Sequence, residues 1–297
     1  MNGFEKYYFQ IDHNTATRLA REIEDLLAAA GLMFRIFSRF KSKESSEKKL
    51  KKKRSKYVKE NRGIQDIFGV RVVLYFIDDI TVCKQLLCGK FDLINSEEDS
   101  LDTDVFKPYR RNYVFNIPQH ITKISEEIKK RCMIDNTFEV QVRTIFSEGW
   151  HEVEHDIRYK YNAEWRNEKI LSRGLNGTLA ILESCDNNLL SICNSLAYSS
   201  YNNKKWESMI RNKYRLRFKE DRLSEPLRDL LSHKGLGKDV FDFDRTRMIQ
   251  IFASTKIGVT YNNIVYIIIL LNHDESIINM VNVPDLLRRR VRQYQDT

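Results

Sequence analysis

Over residues 138–144 apolar and polar side chains alternate without a break, Phe138, Val140 and Val142 against Glu139, Gln141 and Arg143. A period of two predicts a strand with one face in a core and the other open. Upstream, residues 68–77 (FGVRVVLYFI) are β-branched and aromatic and too short for a helix, which predicts a central strand. Leu19, Ile23, Leu26, Leu27, Ala30 and Phe34 recur at three- and four-residue steps and predict a helix over 14–37. Residues 78–89, 121–132 and 146–161 read as further helices, 91–95 and 114–117 as short strands, and 96–104 as an acidic loop. Beyond them Leu171, Leu175, Leu179, Leu182, Leu189, Cys193 and Leu196 mark a long amphipathic helix, followed by a polar break at 198–203 and a mostly helical remainder. Alternating strands and helices, then helices alone, give an α/β (α+β) class: a mixed sheet flanked by helices, with a helical C-terminal extension. The expected boundaries are 1–162 for the sheet-bearing domain, 163–202 for a connecting long helix and 203–297 for a helical C-terminal domain.

Composition narrows the class. The chain has 297 residues, 42% apolar and 31% charged, which excludes a disordered chain. The longest apolar run, 264–271, falls far short of the ~20 residues of a membrane span. The opening MNGFEKYYFQID has no apolar signal core. Five cysteines, scattered and never spaced as CxxC, argue for reduced thiols rather than a disulfide framework or zinc knuckle. The expectation is therefore a cytoplasmic protein without a membrane partner.

Charge changes the picture more. From Arg39 to Arg62 there are twelve Lys/Arg against three Asp/Glu, a surplus equal to the chain's whole net charge of +9. So short a basic block suggests a polyanionic partner, nucleotide phosphates or RNA. If helical, the run is a solvated arm. Asp66 and Glu139, on neighbouring strands of one sheet, are suited to a hard divalent cation, and two acids brought together without one would repel, which points to Mg²⁺. Arg39, Lys41, Arg71, Lys107, Arg110 and Arg143 supply the cationic clamp that phosphoryl transfer requires. Tyr109 and Tyr113 offer flat faces for a base.

Four ordered blocks now carry a resemblance: Ser38-Arg39-Phe40-Lys41-Ser42 with Glu44-Ser45; Asp66-Ile-Phe-Gly-Val-Arg71; Glu139-Val-Gln-Val-Arg-Thr144; and Trp150 with Glu154-His155-Asp156 and Tyr159-Lys160. Together they resemble the RelA/SpoT synthetase domain, particularly the small alarmone synthetases, over about residues 38–160. The resemblance implies a nucleotidyltransferase-like fold and Mg²⁺-dependent transfer of pyrophosphate from ATP to the ribose 3′-hydroxyl of GDP or GTP. By matched position it implies Asp66 and Glu139 as metal ligands, with Glu139 also as general base. Arg39 would lie at the ATP adenine, with Lys41, Arg71 and Lys107 serving the rest of the ATP. Tyr109 would stack on the acceptor guanine, with Arg110, Tyr113, Gln141, Arg143 and His155 around it. Where the family reads G-Y-R-S-L-H this chain reads Pro108-Tyr109-Arg110-Arg111-Asn112-Tyr113. In that departure it is similar to the toxic branch of the small alarmone synthetases, some of which modify the 3′ end of tRNA. An antitoxin, a regulatory partner or a second copy of the chain are further partners to expect.

Two rival readings stand beside this one. His151-Glu152-Val153-Glu154-His155 fits both HExxH and HxxEH, the zinc-hydrolase patterns, but no extended motif follows. Alternatively the chain is a catalytically inactive RNA-binding module, using the basic arm and the C-terminal RNKYRLRFK and LLRRRVR patches. Retention of both carboxylates ranks that module below the enzyme.

Overall fold

The computed structural model describes residues 3–99, 109–219, 222–233 and 235–296. In chain order its elements are α1 (Gly3–Tyr8), α2 (Thr15–Ala29), β1 (Phe34–Phe40), α3 (Lys43–Lys59), β2 (Phe68–Leu74), α4 (Asp79–Lys90), β3 (Leu93–Glu98) and β4 (Arg111–Asn116). There follow α5 (Glu126–Cys132), β5 (Thr137–Thr144), α6 (Ile145–Glu154), a π-helical turn (His155–Tyr159), α7 (Asn162–Trp165) and α8 (Lys169–Asn202). The rest is helical: α9 (Trp206–Tyr214), α10 (Glu225–His233), α11 (Leu236–Asp242), α12 (Arg245–Thr255), α13 (Tyr261–Asn272), α14 (Glu275–Ile278) and α15 (Asp285–Gln295). Two compact units result, one of Met1–Glu24, Phe34–Tyr75 and Leu87–Glu183, the other of Asp25–Met33, Phe76–Leu86 and Ser184–Thr297.

The first unit is built on a five-stranded mixed sheet of order β1-β2-β5-β4-β3, in which β2 and β5 run parallel and the other neighbours antiparallel. The expected alternation sorts its two faces. Phe68, Val70 and Val72 of β2 and Phe138, Val140 and Val142 of β5 are buried, while Gly69, Arg71, Glu139, Gln141 and Arg143 lie on the half-open side. Tyr113 and Phe115 of β4 join the buried face, and Phe91, Phe115 and Phe138 pack ring against ring. In the second unit Met209, Ile210, Tyr214, Ile249, Phe252, Ile264 and Ile268 form a core closed to water. The Tyr214 hydroxyl is satisfied there by donating to the Val240 carbonyl at 2.7 Å. The fully buried Asp79 is held by Arg245 at 2.6 Å.

Several expected boundaries move, each for a local reason. The helix expected over 14–37 ends at Ala29, because Gly31 adopts φ 78° and turns the chain. Phe34–Phe40 then pairs antiparallel with β2, so residues expected in the helix and in the arm form an edge strand. Helix α5 begins only at Glu126, where the Ser125 hydroxyl accepts from Ile128 N. The expected break at 198–203 is mostly helix, since Ala197 and Ser200 are buried and α8 runs to Asn202. The helix expected over 146–161 stays α-helical to Glu154 and widens into the π turn. Residues 96–98 of the expected acidic loop belong to β3, and its residues from 100 onward lie outside the described residues.

The loop that delivers Asp66 to β2 is fixed by backbone contact. Ile64 bridges Ile134, Gly63 N donates to Asp135 Oδ1 at 2.8 Å, and Ile64 N donates to Met133 O at 2.7 Å. A Cβ on Gly63 would lie 2.5 Å from Met133 O and 2.6 Å from Met133 C, so backbone itself would have to move. Gly63→Ala should therefore cost about 1–3 kcal/mol in urea unfolding. Gly89→Ala, in α4 with nothing within 4 Å, should be neutral or gain up to ~1 kcal/mol. Equal stabilities for the two variants would contradict this packing.

Candidate active site

The open face of the sheet is laid out in rows by strand register. Arg39 of β1, Gly69 of β2 and Glu139 of β5 are successive partners, and one step along come Phe37, Arg71 and Gln141. Gly69 leaves the first row without a side chain at its centre, and a Cβ there would meet only Arg39 O, at 3.7 Å. The gap is the floor of a cleft of about 420 Å³. Four carboxylates (Asp66, Glu139, Glu148, Glu152) and three cations (Arg39, Lys41, Arg71) line it, together with Phe37 and Gln141.

Asp66 enters from the loop before β2. Its Oδ2 lies 2.7 Å from both Lys41 Nζ and Lys49 Nζ. Lys41 is positioned by its own backbone, whose N–H extends the β1–β2 ladder to Ile67 O at 2.9 Å. Lys49 reaches in from α3. Burial opposes ionisation of Asp66, but the two ammonium groups outweigh it and hold the carboxyl below its usual pKa. Its other oxygen, Oδ1, is buried without a hydrogen-bond partner among the described residues. Glu139 is shifted the other way. Burial raises its pKa, and the nearby Asp66 charge raises it further against the hydrogen bond donated by Gln141 Nε2 at 2.8 Å. One acid is thus held ionised and the other is poised to take a proton.

A second charge cluster closes the side of the cleft. Glu148 of α6 bridges two strands, its Oε1 2.6 Å from Arg71 Nη1 and its Oε2 2.7 Å from Arg143 Nη1. Glu152, one helical turn on, is also paired with Arg71. His151 beside them is pushed down to about 4 by burial and by the charges of Arg143 and Arg71, so its imidazole is neutral at pH 7. Among the described residues no group of three or more His, Cys, Asp or Glu is arranged to hold a metal, so the HExxH segment finds no third ligand.

Of the residues singled out in the sequence, Asp66, Glu139, Arg39, Lys41, Arg71 and Gln141 all line this one cleft. Arg143 stands one step away, joined through Glu148. Others are not brought there. Tyr113, expected to present a stacking face, is 1% exposed, because its register partner is Val140 and both side chains point to the core. Arg110 is engaged by Asp99 at 2.9 Å and Glu97 at 3.8 Å, and Tyr109 carries the Arg111 guanidinium over its ring at 5.3 Å. His155 is exposed on the π turn, stacked on Tyr159 and 2.9 Å from Asp156 Oδ1. Lys107 lies outside the described residues.

Sequence reasoning passed over Glu148 and Phe37, and took Lys49 only as part of the basic block and Glu152 only as part of the HExxH segment. Lys49 is one lysine in a run of many, and only its turn of α3 singles it out. Glu148 and Glu152 carried a usable signal, an i, i+4 acid pair on the helix directly after the strand that bears Arg143.

Comparison with known proteins bears on this arrangement. The pattern described as "Region found in RelA / SpoT proteins" matches residues 38–164. The GTP pyrophosphokinase YwaC of Bacillus subtilis (strain 168) is 35% identical over 131 residues, 42% of this chain and 58% of that protein. The GTP pyrophosphokinase YjbM of the same organism is 28% identical over 103 residues, 35% of this chain and 46% of that protein. The chain thus spans about half the length of these curated relatives. Among solved structures, the small alarmone synthetase 1 of Bacillus subtilis bound to its product pppGpp superposes with a TM-score of 0.50 at 18% identity, covering 63% of this chain and 96% of that one. That likeness speaks for the fold, a mixed sheet flanked by helices. Every residue lining the cleft except Phe37 falls within residues 38–164, the segment over which the chain is similar to RelA/SpoT proteins.

Proposed function

We propose that the chain is an ATP-dependent pyrophosphokinase that transfers pyrophosphate to the ribose 3′-hydroxyl of GDP or GTP. The observation that carries this reading is the single cleft in which an ionised Asp66, a proton-accepting Glu139 and the cations Arg39, Lys41 and Arg71 meet. The acceptor's 3′-oxygen attacks the β-phosphorus of ATP. The bond from that phosphorus to the oxygen bridging the α-phosphate breaks, AMP leaves, and the hydroxyl proton passes to Glu139. Little covalent work falls to the protein in such a transfer, whose demand is for positioning and fixed positive charge. Lys41 and Lys49, which neutralise Asp66, are the ammonium groups within reach of the triphosphate, and Arg39 flanks the same floor.

The acids also suit a hard divalent cation. Asp66 Oδ1 is buried and unpartnered among the described residues, and the Asp66 charge weighs on Glu139. Two carboxylate oxygens completed by phosphate oxygens are a donor set that Mg²⁺ accepts. Asp66 and Glu139 would hold it, and when bound it supplies charge neutralisation at the transferring phosphates.

Glu139→Gln keeps the volume and the hydrogen bond from Gln141 but cannot accept the proton. It should lower transfer by at least ~10²-fold. The raised pKa also fixes the sign of a pH effect. Wild-type rate should fall on acidification through a pH above the ordinary carboxylate range, and the variant's residual rate should lack that limb. Stability runs the other way, because a raised folded pKa favours the protonated acid and its contribution is lost as pH rises through that value. Glu139→Gln should therefore be at least as stable as wild type at pH 7 in thermal unfolding. A variant that is active, or inactive only because it is unfolded, would count against Glu139.

One observation favours tRNA as a second acceptor. Helix α3 keeps Lys48, Lys51, Lys52 and Lys53 exposed while Lys49 pairs with Asp66. Neutralising those four and sparing Lys49 should leave modification of free GDP or GTP within about threefold. On this second reading it should remove most tRNA modification and flatten its salt dependence, each single-strand phosphate contact contributing a slope of about −0.7. Equal losses on both acceptors would exclude an RNA-specific role for α3.

A further inference from the structure

Strand β4 sets one polar side chain beside Glu139 that the transfer as described leaves unused. Tyr113 turns to the core, so its chain neighbour Asn112 takes the open face of the sheet, opposite Gln141. Of the other β4 residues on that face, Val114 is apolar and Asn116 is engaged by Asp92 at 2.5 Å. Asn112 is half-buried, and its Nδ2 donates to Glu139 Oε1 at 3.4 Å. Gln141 Nε2 donates to the other oxygen, Oε2, at 2.8 Å. The carboxylate thus sits between two amides, one to each oxygen.

Chemistry fixes which way the Asn112 amide is turned. Only its NH2 can face a carboxylate, so Oδ1 is left as an acceptor for something else. Among the described residues Oδ1 has no hydrogen-bond partner. The 3.4 Å bond to Glu139 is also longer than an ordinary N–H···O bond, so the amide is loosely committed to it. A half-buried acceptor therefore stands next to the group that is to take a hydroxyl proton.

A ribose acceptor brings a matching pair of groups. Its 2′- and 3′-hydroxyls are neighbouring cis oxygens, and Glu139 receives the proton of only the 3′. We propose that Asn112 binds the other: the 2′-hydroxyl donates to Asn112 Oδ1 while the 3′-hydroxyl donates to Glu139. Asn112 is then the residue that selects a ribose acceptor over a 2′-deoxyribose. The proposal rests on the reading of Glu139 as proton acceptor for the 3′-hydroxyl. It concerns chemistry that a guanosine nucleotide and the 3′ end of a tRNA share, since both present a free cis-diol.

The acceptor supplies the test. Steady-state kinetics of the full chain with ATP compare GDP with 2′-deoxyGDP, which keeps the 3′-hydroxyl and lacks the 2′. Wild type should favour GDP in kcat/KM by about tenfold, the worth of one hydrogen bond to the hydroxyl. Asn112→Leu keeps the bulk and removes the amide. It should lower kcat/KM for GDP and shrink the preference to within about twofold of unity. If Asn112→Leu lowers the melting temperature, Asn112→Val, β-branched and suited to a strand, gives the same comparison. Transfer to tRNA ending in a ribose or a 2′-deoxyribose repeats it for the other acceptor and tells the two sources apart. Equal losses on the ribose and deoxyribose acceptors would mean that Asn112 only orients Glu139. That result, or a wild type indifferent to the 2′-hydroxyl, would overturn the role of Asn112 and leave the pyrophosphokinase reading intact. No transfer from ATP to any of these acceptors would overturn that reading, and Asn112's role with it.

Discussion

The parallel pairing of Phe68–Leu74 with Thr137–Thr144 is the constraint on which the rest of the first unit depends. Parallel strands need a long crossover, and here it carries α4, β3, β4 and α5. Its register sets Gly69 beside Glu139 and brings the loop before β2, with Asp66, to the same end of the sheet. A slip of one residue would turn Glu139, Gln141 and Arg143 into the core and Val140 and Val142 to solvent. Burial of those valines, and of Phe68, Val70 and Phe138, therefore fixes the geometry of the polar side as firmly as that of the core.

Charge balance does the rest. Four carboxylates and the surrounding cations lie close together, and Asp66 and Glu139 are shifted in opposite directions because their neighbours differ. Asp66 has two ammonium groups on one oxygen and stays ionised, whereas Glu139 has an amide donor and a neighbouring negative charge, so burial raises it. Glu148 spends both oxygens on Arg71 and Arg143, which ties α6 to β2 and β5. Arg71, Arg143 and Glu148 are side chains of strands and a helix, which hold a constellation more firmly than loops would.

Much of this was legible in the sequence, for physical reasons that differ from residue to residue. Strict alternation over 138–144 announced both the strand and its open face, because a period of two admits no other sorting of side chains. Asp66, Arg39, Lys41, Arg71 and Gln141 could be placed together because they fall in ordered blocks. Tyr113 failed as a stacking residue because its face is decided by pairing with Val140, a long-range register that local sequence does not contain. The end of α2 was missed because the helical apolar period runs on through Phe34, while Gly31 in the left-handed region ends the helix. Lys49 and Glu148 were hidden because their significance lies in which partner they meet across the fold, at Asp66 and at the two arginines. The second unit is a helical body with its own core, and of its three segments only Phe76–Leu86 falls within the matched region.

The central claim is that the cleft moves pyrophosphate intact from ATP to a ribose hydroxyl. Incubating the full chain with ATP labelled at the γ-phosphate, with GDP, GTP or tRNA as acceptor, follows that group directly. The account predicts that label enters a guanosine nucleotide or the tRNA 3′ end while unlabelled AMP is released in equal amount. Label found only in free phosphate or pyrophosphate, or AMP absent from the products, would contradict it.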